Sequence, residues 1–125
     1  MARHPTLRRL ELWRYATLAT VRADGPDLTT RQMALLLTVY LEPGPHTVRG
    51  LAAELGVAKP VVTRALDTLG RLGFLKRTRD AADRRNVLVH RTVKGAVYLS
   101  DFADMIATGQ AMSDQDIDLP PANPP

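Results

Sequence analysis

The sequence predicts a mainly helical domain with one small β-hairpin. Apolar residues recur at helical spacing in five segments, and two short β-like runs lie between the last two of these segments. A block of basic side chains coincides with the fourth helix and the hairpin. Residues 59–94 carry ten basic and three acidic side chains, whereas residues 95–125 carry five aspartates and no basic residue. A basic block inside a folded region is typical of nucleic-acid binding, although a solvated basic face has the same composition.

The first two helices are predicted from their apolar spacing and their ends. Residues 6–22 have the periodicity of one helix, and the Ala-Asp-Gly-Pro-Asp segment at residues 23–27 ends it. Thr29 and Gln32 have the spacing of a capping box, which predicts that the second helix begins at this point. It is expected to end near Glu42, because prolines follow at once.

Residues 47–73 predict two helices that cross at a steep angle. Thr47 is a candidate N-cap for a short helix that Gly56 ends, and Lys59-Pro60 begins a second helix. The link between the two helices is too short for them to lie antiparallel, which is the geometry of a helix-turn-helix. Small and apolar residues at the expected positions close the angle: Ala52, Leu55, Val57, Val62 and Leu66.

The two β-like runs, Phe74–Arg79 and Asn86–Arg91, follow directly and enclose a polar loop. We therefore expect a hairpin over residues 74–91, which makes the module a winged helix-turn-helix with residues 74–91 as its wing.

Thr92 is a candidate cap for a last helix, which we expect to end near residue 112. The fold class is thus a winged helix-turn-helix flanked by N- and C-terminal dimerisation helices. We place a single domain at residues 1–112, since 125 residues are most often one domain. Residues 113–125 hold three aspartates and four prolines and are expected to form a disordered acidic tail.

Four segments resemble the MarR family of bacterial transcription factors. They are Thr29-Thr30-Arg31-Gln32, Leu51-Ala52-Ala53-Glu54-Leu55-Gly56-Val57, Lys59-Pro60-Val61-Val62-Thr63-Arg64-Ala65-Leu66-Asp67 and Asp83-Arg84-Arg85. The resemblance covers roughly residues 28–98, and the acidic residue followed by two arginines is its most specific part. It implies a winged-helix homodimer on a palindromic operator, and often a small aromatic or phenolic ligand that releases the DNA. Arg91 departs from the pattern, since family members usually have an apolar residue there.

The outward face of the predicted recognition helix supplies the candidate base contacts. N-terminal residues of such a helix reach base edges in the major groove. The candidates are Lys59, Pro60, Val61, Thr63 and Arg64. Arg64 is the first choice for a bidentate contact to guanine, and its alternative is a solvated arginine or an intrahelical pair with Asp67 or Thr68. Thr47 is either a cap alone or part of a helix start that holds a phosphate.

The wing supplies four further candidates. Arg84 and Arg85 at its tip are expected to enter the minor groove, with an aspartate holding one of them by a paired hydrogen bond. The alternative is an ordinary exposed charged turn. Arg77 and Arg79 on the preceding strand are expected to contact phosphates.

Other kinds of site have little support. The absence of cysteine excludes disulfides, thiolate nucleophiles and Cys-ligated zinc, and the three histidines are isolated in sequence, so no metal or cofactor is expected. No nucleophile has a base nearby and no glycine-rich phosphate loop exists, so we expect no enzyme activity. Trp13, Tyr15, Tyr40 and Tyr98 are either core residues or the lining of an effector pocket.

The expected function is that of a sequence-specific regulator of transcription. We expect a homodimeric repressor that binds double-stranded DNA, with the recognition helix in the major groove and the wing in the minor groove. The alternative is a winged-helix interaction module that docks on another transcription factor. The longest unbroken apolar stretch is five residues and the N-terminus lacks an apolar signal core, so we expect a cytoplasmic protein with no membrane partner, associated with the nucleoid when bound to DNA.

Overall fold

The computed structural model describes residues 4–118, with side chains up to residue 111. The described residues form five helices and three strands. In chain order these are α1 (Pro5–Arg22), α2 (Thr30–Leu41), β1 (His46–Thr47), α3 (Val48–Leu55), α4 (Lys59–Arg71), β2 (Leu75–Arg79), β3 (Val87–Arg91) and α5 (Val93–Asp118). They fall into two compact units: one is Leu28–Leu99, the winged-helix unit, and the other contains residues 4–27 and 100–118.

The winged-helix unit begins as the sequence predicts. Thr29 caps α2: its hydroxyl accepts a hydrogen bond from the Gln32 amide at 3.1 Å, and the Gln32 side chain accepts one from the Thr29 amide at 2.9 Å. This reciprocal pair is the predicted capping box. α2 ends at Leu41, because Pro43 and Pro45 cannot continue its hydrogen bonds.

The core of this unit lies where α2, α3, α4 and the sheet meet. The side chains of Leu35, Leu36 and Leu69 have no accessible surface, and those of Val62 and Leu66 are 1% exposed. The predicted apolar stripe of α4 therefore faces the core. Gly73 follows α4 with a φ of 79°, and the Phe74 amide donates to the Leu69 carbonyl, which turns the chain into β2.

The sheet has three antiparallel strands, whereas the sequence predicted two. The strand order is β1-β3-β2, with Leu88 of β3 between Thr47 on one side and Thr78 on the other. The hairpin of β2 and β3 is the predicted wing. β1 was not predicted because two residues are too few to show alternation.

Two side chains of β3 and α2 fasten the base of the wing. The Arg91 guanidinium donates to the carbonyls of Val39 and Glu42, at 2.8 and 3.1 Å, and so binds the C-terminal end of α2. The Tyr40 hydroxyl donates to the Phe74 carbonyl at 2.7 Å and accepts from the Thr92 amide at 2.9 Å. Arg91, which departs from the family pattern, thus supplies the positive charge that the last turn of α2 lacks.

α5 begins as predicted and extends farther. The Thr92 hydroxyl accepts a hydrogen bond from the Gly95 amide at 3.0 Å, which is the expected cap. The helix continues to Asp118, six residues past the expected end at residue 112. Residues 113–118 contain neither proline nor glycine, and Pro120 is the first residue that disfavours helix before it. Residues 119–125 of the expected disordered tail lie outside the described residues.

The other unit consists of α1 and the C-terminal part of α5. Ala19 and Phe102 are buried in it, and the Tyr15 ring lies against Gly109, where a Cβ would come within 3.0 Å of the ring. Several large apolar side chains of α1 are exposed, including Trp13 at 66% and Val21 at 78%. The amphipathic stripe predicted for α1 therefore remains largely in contact with solvent in the single chain.

Candidate nucleic-acid interface

The turn between α3 and α4 sets the angle at which α4 leaves the core. Gly56 has a φ of 68°, and its amide donates to the Ala53 carbonyl while that of Val57 donates to the Ala52 carbonyl. This left-handed conformation favours glycine, and it ends α3 as the sequence predicted. α4 begins three residues later, with Ala58 at the N-cap and Pro60 in the first turn.

Four of the five candidate base-contact residues on the outward face of α4 are exposed to solvent. Lys59, Pro60, Thr63 and Arg64 are exposed, whereas Val61 is half-buried. Val61 therefore offers less surface than the outward position predicted for it, because helix geometry places it beside the buried Val62 stripe. The Thr63 hydroxyl donates to the Lys59 carbonyl at 3.2 Å, within the same helix.

Arg64 has no partner among the described residues. The two intrahelical partners that the sequence offered are both occupied by other arginines: Asp67 accepts from Arg77 at 2.7 Å, and Thr68 accepts from Arg71 at 3.3 Å. Arg64 is exposed and forms neither a hydrogen bond nor an ion pair with the side chains described, those of residues 4–111. Its guanidinium group is thus available to an external acceptor.

Thr47 acts as a helix cap. Its hydroxyl accepts a hydrogen bond from the Gly50 amide at 2.9 Å, and its side chain is half-buried. The capping interpretation of Thr47 is confirmed. Its additional role in holding a phosphate stays a prediction.

The wing tip holds one arginine and leaves another free. Asp83 accepts two hydrogen bonds from the Arg85 guanidinium, at 3.0 and 3.1 Å, and one from the Arg85 amide at 3.1 Å. Arg79 donates to the carbonyl of Arg84 at 2.7 Å, whereas the Arg84 side chain has no partner within the described residues. The predicted aspartate–arginine pair is therefore present, and it holds Arg85 rather than Arg84.

Hydrogen bonds and charge both act on the Asp83 carboxylate. The side-chain hydrogen bonds from Arg85 lower the pKa of Asp83 most, followed by the Arg85 backbone amide and the charge of Arg49. The same pairing raises the pKa of Arg85. Both groups are charged at neutral pH, so the pair contributes one negative and one positive charge to the wing loop.

Arg77 and Arg79 lie on β2 beside α4 and the wing loop. Arg77 forms an ion pair with Asp67 of the recognition helix, and Arg79 supports the wing loop through the Arg84 carbonyl. Both guanidinium groups are thus engaged within the chain. Their predicted phosphate contacts stay predictions, and the structure adds positioning roles that the sequence did not reveal.

Sequence reasoning missed Arg49. It lies in the first turn of α3, is exposed, and is close enough to Asp83 for its charge to act on that carboxylate. Its position two residues after the Thr47 cap was the available signal, since the first helix of a helix-turn-helix crosses the DNA backbone.

Three of the four candidate effector-pocket aromatics have packing roles. Tyr40 binds the wing base, Tyr98 stacks on Phe74 with ring centroids 4.4 Å apart, and Tyr15 packs on Gly109. An effector pocket at these residues stays a prediction. Among the side chains that the structure describes, those of residues 4–111, no cluster of three acidic or histidine residues is placed to share a metal ion. No helix in that part of the chain is long and apolar enough to cross a bilayer.

Comparison with known proteins finds a similarity to one family. A model of the MarR family matches residues 27–86, which run from the start of α2 to the wing tip. Over these residues the chain is similar to the MarR family of winged helix-turn-helix transcriptional regulators. The resemblance inferred from the sequence is therefore confirmed, and so is the mainly helical winged-helix fold.

Curated MarR-family relatives match the same region. YkoM of Bacillus subtilis, an HTH-type transcriptional regulator, is 37% identical over 68 residues, which are 54% of this chain and 44% of YkoM. The regulator MgrA of Staphylococcus aureus is 27% identical over 86 residues, 66% of this chain and 58% of MgrA. The chain thus spans about half the length of these relatives. Both are regulators rather than enzymes, as the sequence led us to expect.

A solved MarR-family structure shows the same fold over nearly the whole chain. The S. aureus MepR–DNA complex superposes with a TM-score of 0.69, covering 90% of each chain at 20% identity. The likeness therefore extends beyond the winged-helix unit that the family model matches.

Proposed function

We propose that this chain binds double-stranded DNA as a homodimeric repressor, with α4 in the major groove and the wing in the minor groove. The observation that carries the proposal is the unpaired Arg64 at the N-terminal end of an otherwise anchored helix. An exposed arginine without an internal partner contacts a base edge without breaking bonds in the free protein. Structures of two similar proteins, MepR and CouR, contain DNA, which supports the same partner here.

The charge distribution supports this assignment. Residues 59–94 have a net charge of +7, and the described free guanidinium groups of Arg64 and Arg84 belong to this block. Phosphate neutralisation by such groups releases counterions, so affinity falls steeply as salt rises. A winged-helix module that binds another protein does not require so steep a dependence of affinity on salt concentration.

The deciding experiment is in vitro selection of duplexes, followed by a salt titration of the recovered sequence. We expect a palindrome, with log affinity falling by about 0.9 for each neutralised phosphate per unit of log salt. Recovery of no enriched sequence together with a flat salt dependence would contradict DNA binding and favour the interaction module. A reporter gene carrying the palindrome across its promoter then tests repression, which we expect to fall when the protein is removed.

The homodimer is proposed from the exposed apolar face of α1. Leu7, Leu10, Trp13 and Val21 are each more than half exposed in the single chain. Contiguous apolar surface of this kind marks an interface in soluble proteins, and a palindrome requires two copies. We commit to a second copy of this chain as the partner, with α1 and α5 as its principal contacts.

Sedimentation at micromolar concentration tests the dimer. We expect a species of twice the 13.8 kDa chain mass for the wild type and for an Arg22→Ala control, because Arg22 is exposed at the end of α1 and lies off its apolar face. Trp13→Ala is expected to raise the dissociation constant, since a large exposed aromatic is a typical interface anchor. A 13.8 kDa species alone in the wild type would contradict the proposal.

The proposal includes a small aromatic ligand that releases the DNA. Trp13 is the only tryptophan, so its fluorescence reports binding near α1 without labelling. A panel of phenolic and aromatic acids that neither shifts this fluorescence nor raises the melting temperature would exclude this part of the proposal.

A further inference from the structure

Arg49 lies at the junction between the helix-turn-helix and the wing. It is the second residue of α3, and the Thr47 cap that precedes it pairs with Leu88 in the central strand of the sheet. Leu88 pairs in turn with Thr78 of β2. Because these pairs lie at the end of the strands that leads into the wing loop, the first turn of α3 lies on the side of the sheet where the loop begins.

The Arg49 side chain is exposed and is not bonded to any described residue. The Asp83 carboxylate in the wing loop already accepts three hydrogen bonds from Arg85. The charge of Arg49 makes the smallest contribution to the lowered pKa of Asp83, which is consistent with the position that the strand pairing gives to the start of α3. Arg49 is therefore close to the wing tip but free of it.

A structural role explains Arg49 poorly. Exposed ion pairs stabilise folded proteins by about 0–1 kcal/mol at most, and Arg49 forms not even a hydrogen-bonded pair. Arg49, Arg79, Arg84 and Arg85 with the two aspartates of the wing loop, Asp80 and Asp83, have a net charge of +2. Such a concentration of positive charge beside a helix-turn-helix is suited to a polyanion.

We propose that Arg49 binds a phosphate of the DNA backbone next to the groove that the wing enters, and so joins the contacts of α4 to those of the wing. The proposal rests on the proposed DNA-binding function. A phosphate is the expected partner because the first helix of a helix-turn-helix crosses the backbone instead of entering the groove. Arg49 thus contributes affinity without sequence preference.

The experiment compares Arg49→Ala and Arg49→Lys with the wild type by fluorescence anisotropy. The probes are a duplex recovered by in vitro selection with the wild type and a shuffled duplex of the same composition, each titrated from low to physiological salt. We expect Arg49→Ala to weaken binding to both duplexes equally, about fivefold near physiological salt, and to reduce the salt slope by about 0.9. Arg49→Lys keeps the charge and is expected to retain the slope.

Arg22→Ala is the matched control, because Arg22 is an exposed arginine at the end of α1, outside the winged-helix unit. We expect it to leave affinity and slope unchanged. The melting temperature of Arg49→Ala is also expected to stay at the wild-type value, since no internal bond is lost.

Two results would overturn the role of Arg49 while leaving DNA binding in place. One is an Arg49→Ala protein with wild-type affinity and slope while Arg84→Ala lowers both. The other is an Arg49→Ala protein with a changed ratio of specific to shuffled affinity, which would make Arg49 a base-reading residue. A wild-type protein that binds neither duplex in a salt-dependent manner would instead contradict the proposed function itself.

Discussion

Arg64→Ala is the sharpest test of how the recognition helix would read DNA. The side chain is exposed and has no hydrogen bond or ion pair with the described side chains of residues 4–111, so its removal breaks none of the described contacts. We expect the free energy of unfolding to stay within about 0.5 kcal/mol of the wild type. The substitution is therefore expected to weaken binding to DNA without changing the stability of the free protein.

The expected cost follows from the contact that the free guanidinium group can make. A bidentate arginine–guanine pair discriminates by about 1–3 kcal/mol, which corresponds to a loss of about 5- to 150-fold in affinity for the preferred duplex. A shuffled duplex lacks the matched guanine and is expected to lose only the electrostatic part. The ratio of specific to shuffled affinity therefore falls, and preference at one base pair is relaxed.

Arg71 provides a control on the same face of the same helix. It follows Arg64 by seven residues, nearly two turns, and thus lies about 10 Å farther along α4. Its side chain makes one weak hydrogen bond to Thr68 at 3.3 Å. If the N-terminal end of α4 reads the bases, Arg71→Ala leaves the specificity ratio near the wild-type value.

Anisotropy titrations of the two variants on the selected and shuffled duplexes measure this ratio directly. The reasoning is refuted if Arg64→Ala leaves the ratio unchanged while Arg84→Ala and Arg85→Ala abolish it, because specificity would then reside in the wing. It is refuted equally if Arg64→Ala and Arg71→Ala lower the ratio to the same extent.

Four further substitutions and one titration test the fold beneath this interface. Tyr40→Phe removes the hydrogen bonds of the Tyr40 hydroxyl to Phe74 and Thr92 and is expected to destabilise the protein by about 2 kcal/mol in chemical denaturation. Tyr15→Phe is the control and is expected to change little, because the Tyr15 hydroxyl has no partner in the described residues. Gly95→Ala is expected to destabilise because its Cβ would overlap the Tyr40 hydroxyl. Gly70→Ala, in open space on α4, is expected to stabilise by about 0.5–1 kcal/mol, and equal effects of these two glycine variants would contradict the packing described here. Because the pKa of Asp83 is lowered in the folded protein, its pair with Arg85 stabilises the wing at pH values above the ordinary pKa of 3.8. This stabilisation is lost as the pH falls through the lowered pKa of the folded state. A carboxyl NMR titration of Asp83 with a midpoint at or above pH 3.8 would contradict the pairing.

Local signals in the sequence were sufficient for the boundaries of most elements. The capping box at Thr29, the left-handed Gly56 and the cap at Thr92 are decided within a few residues, so their sequence patterns predict them directly. The predicted end of α5 near residue 112 was wrong. The acidic composition after residue 112 suggested disorder, whereas the backbone stays helical to Asp118, because no proline interrupts it before Pro120.

Contacts between residues that are far apart in the sequence were not predicted. Arg91 binds the Val39 carbonyl across 52 residues, and Asp67 of α4 is paired with Arg77 of β2. Nothing in the spacing of these residues specifies such contacts, since each depends on how helices and strands pack. The strand β1 was missed for the same reason, because only its pairing with β3 defines it.

The same long-range contacts decide which arginines are available to a ligand. From the sequence, Arg84 and Arg85 were expected to enter the minor groove and Arg77 and Arg79 to contact phosphates, with all four side chains available. The structure commits Arg77 to Asp67 and Arg79 to the Arg84 carbonyl, while Arg85 is held by Asp83. Arg84 alone keeps a free side chain, on a backbone that Arg79 fixes in place. Because the backbone is already ordered, only the side chain loses freedom on binding, which lowers the entropic cost of a contact. The wing is therefore organised so that its supporting arginines stabilise the loop and its tip arginine remains free for a ligand.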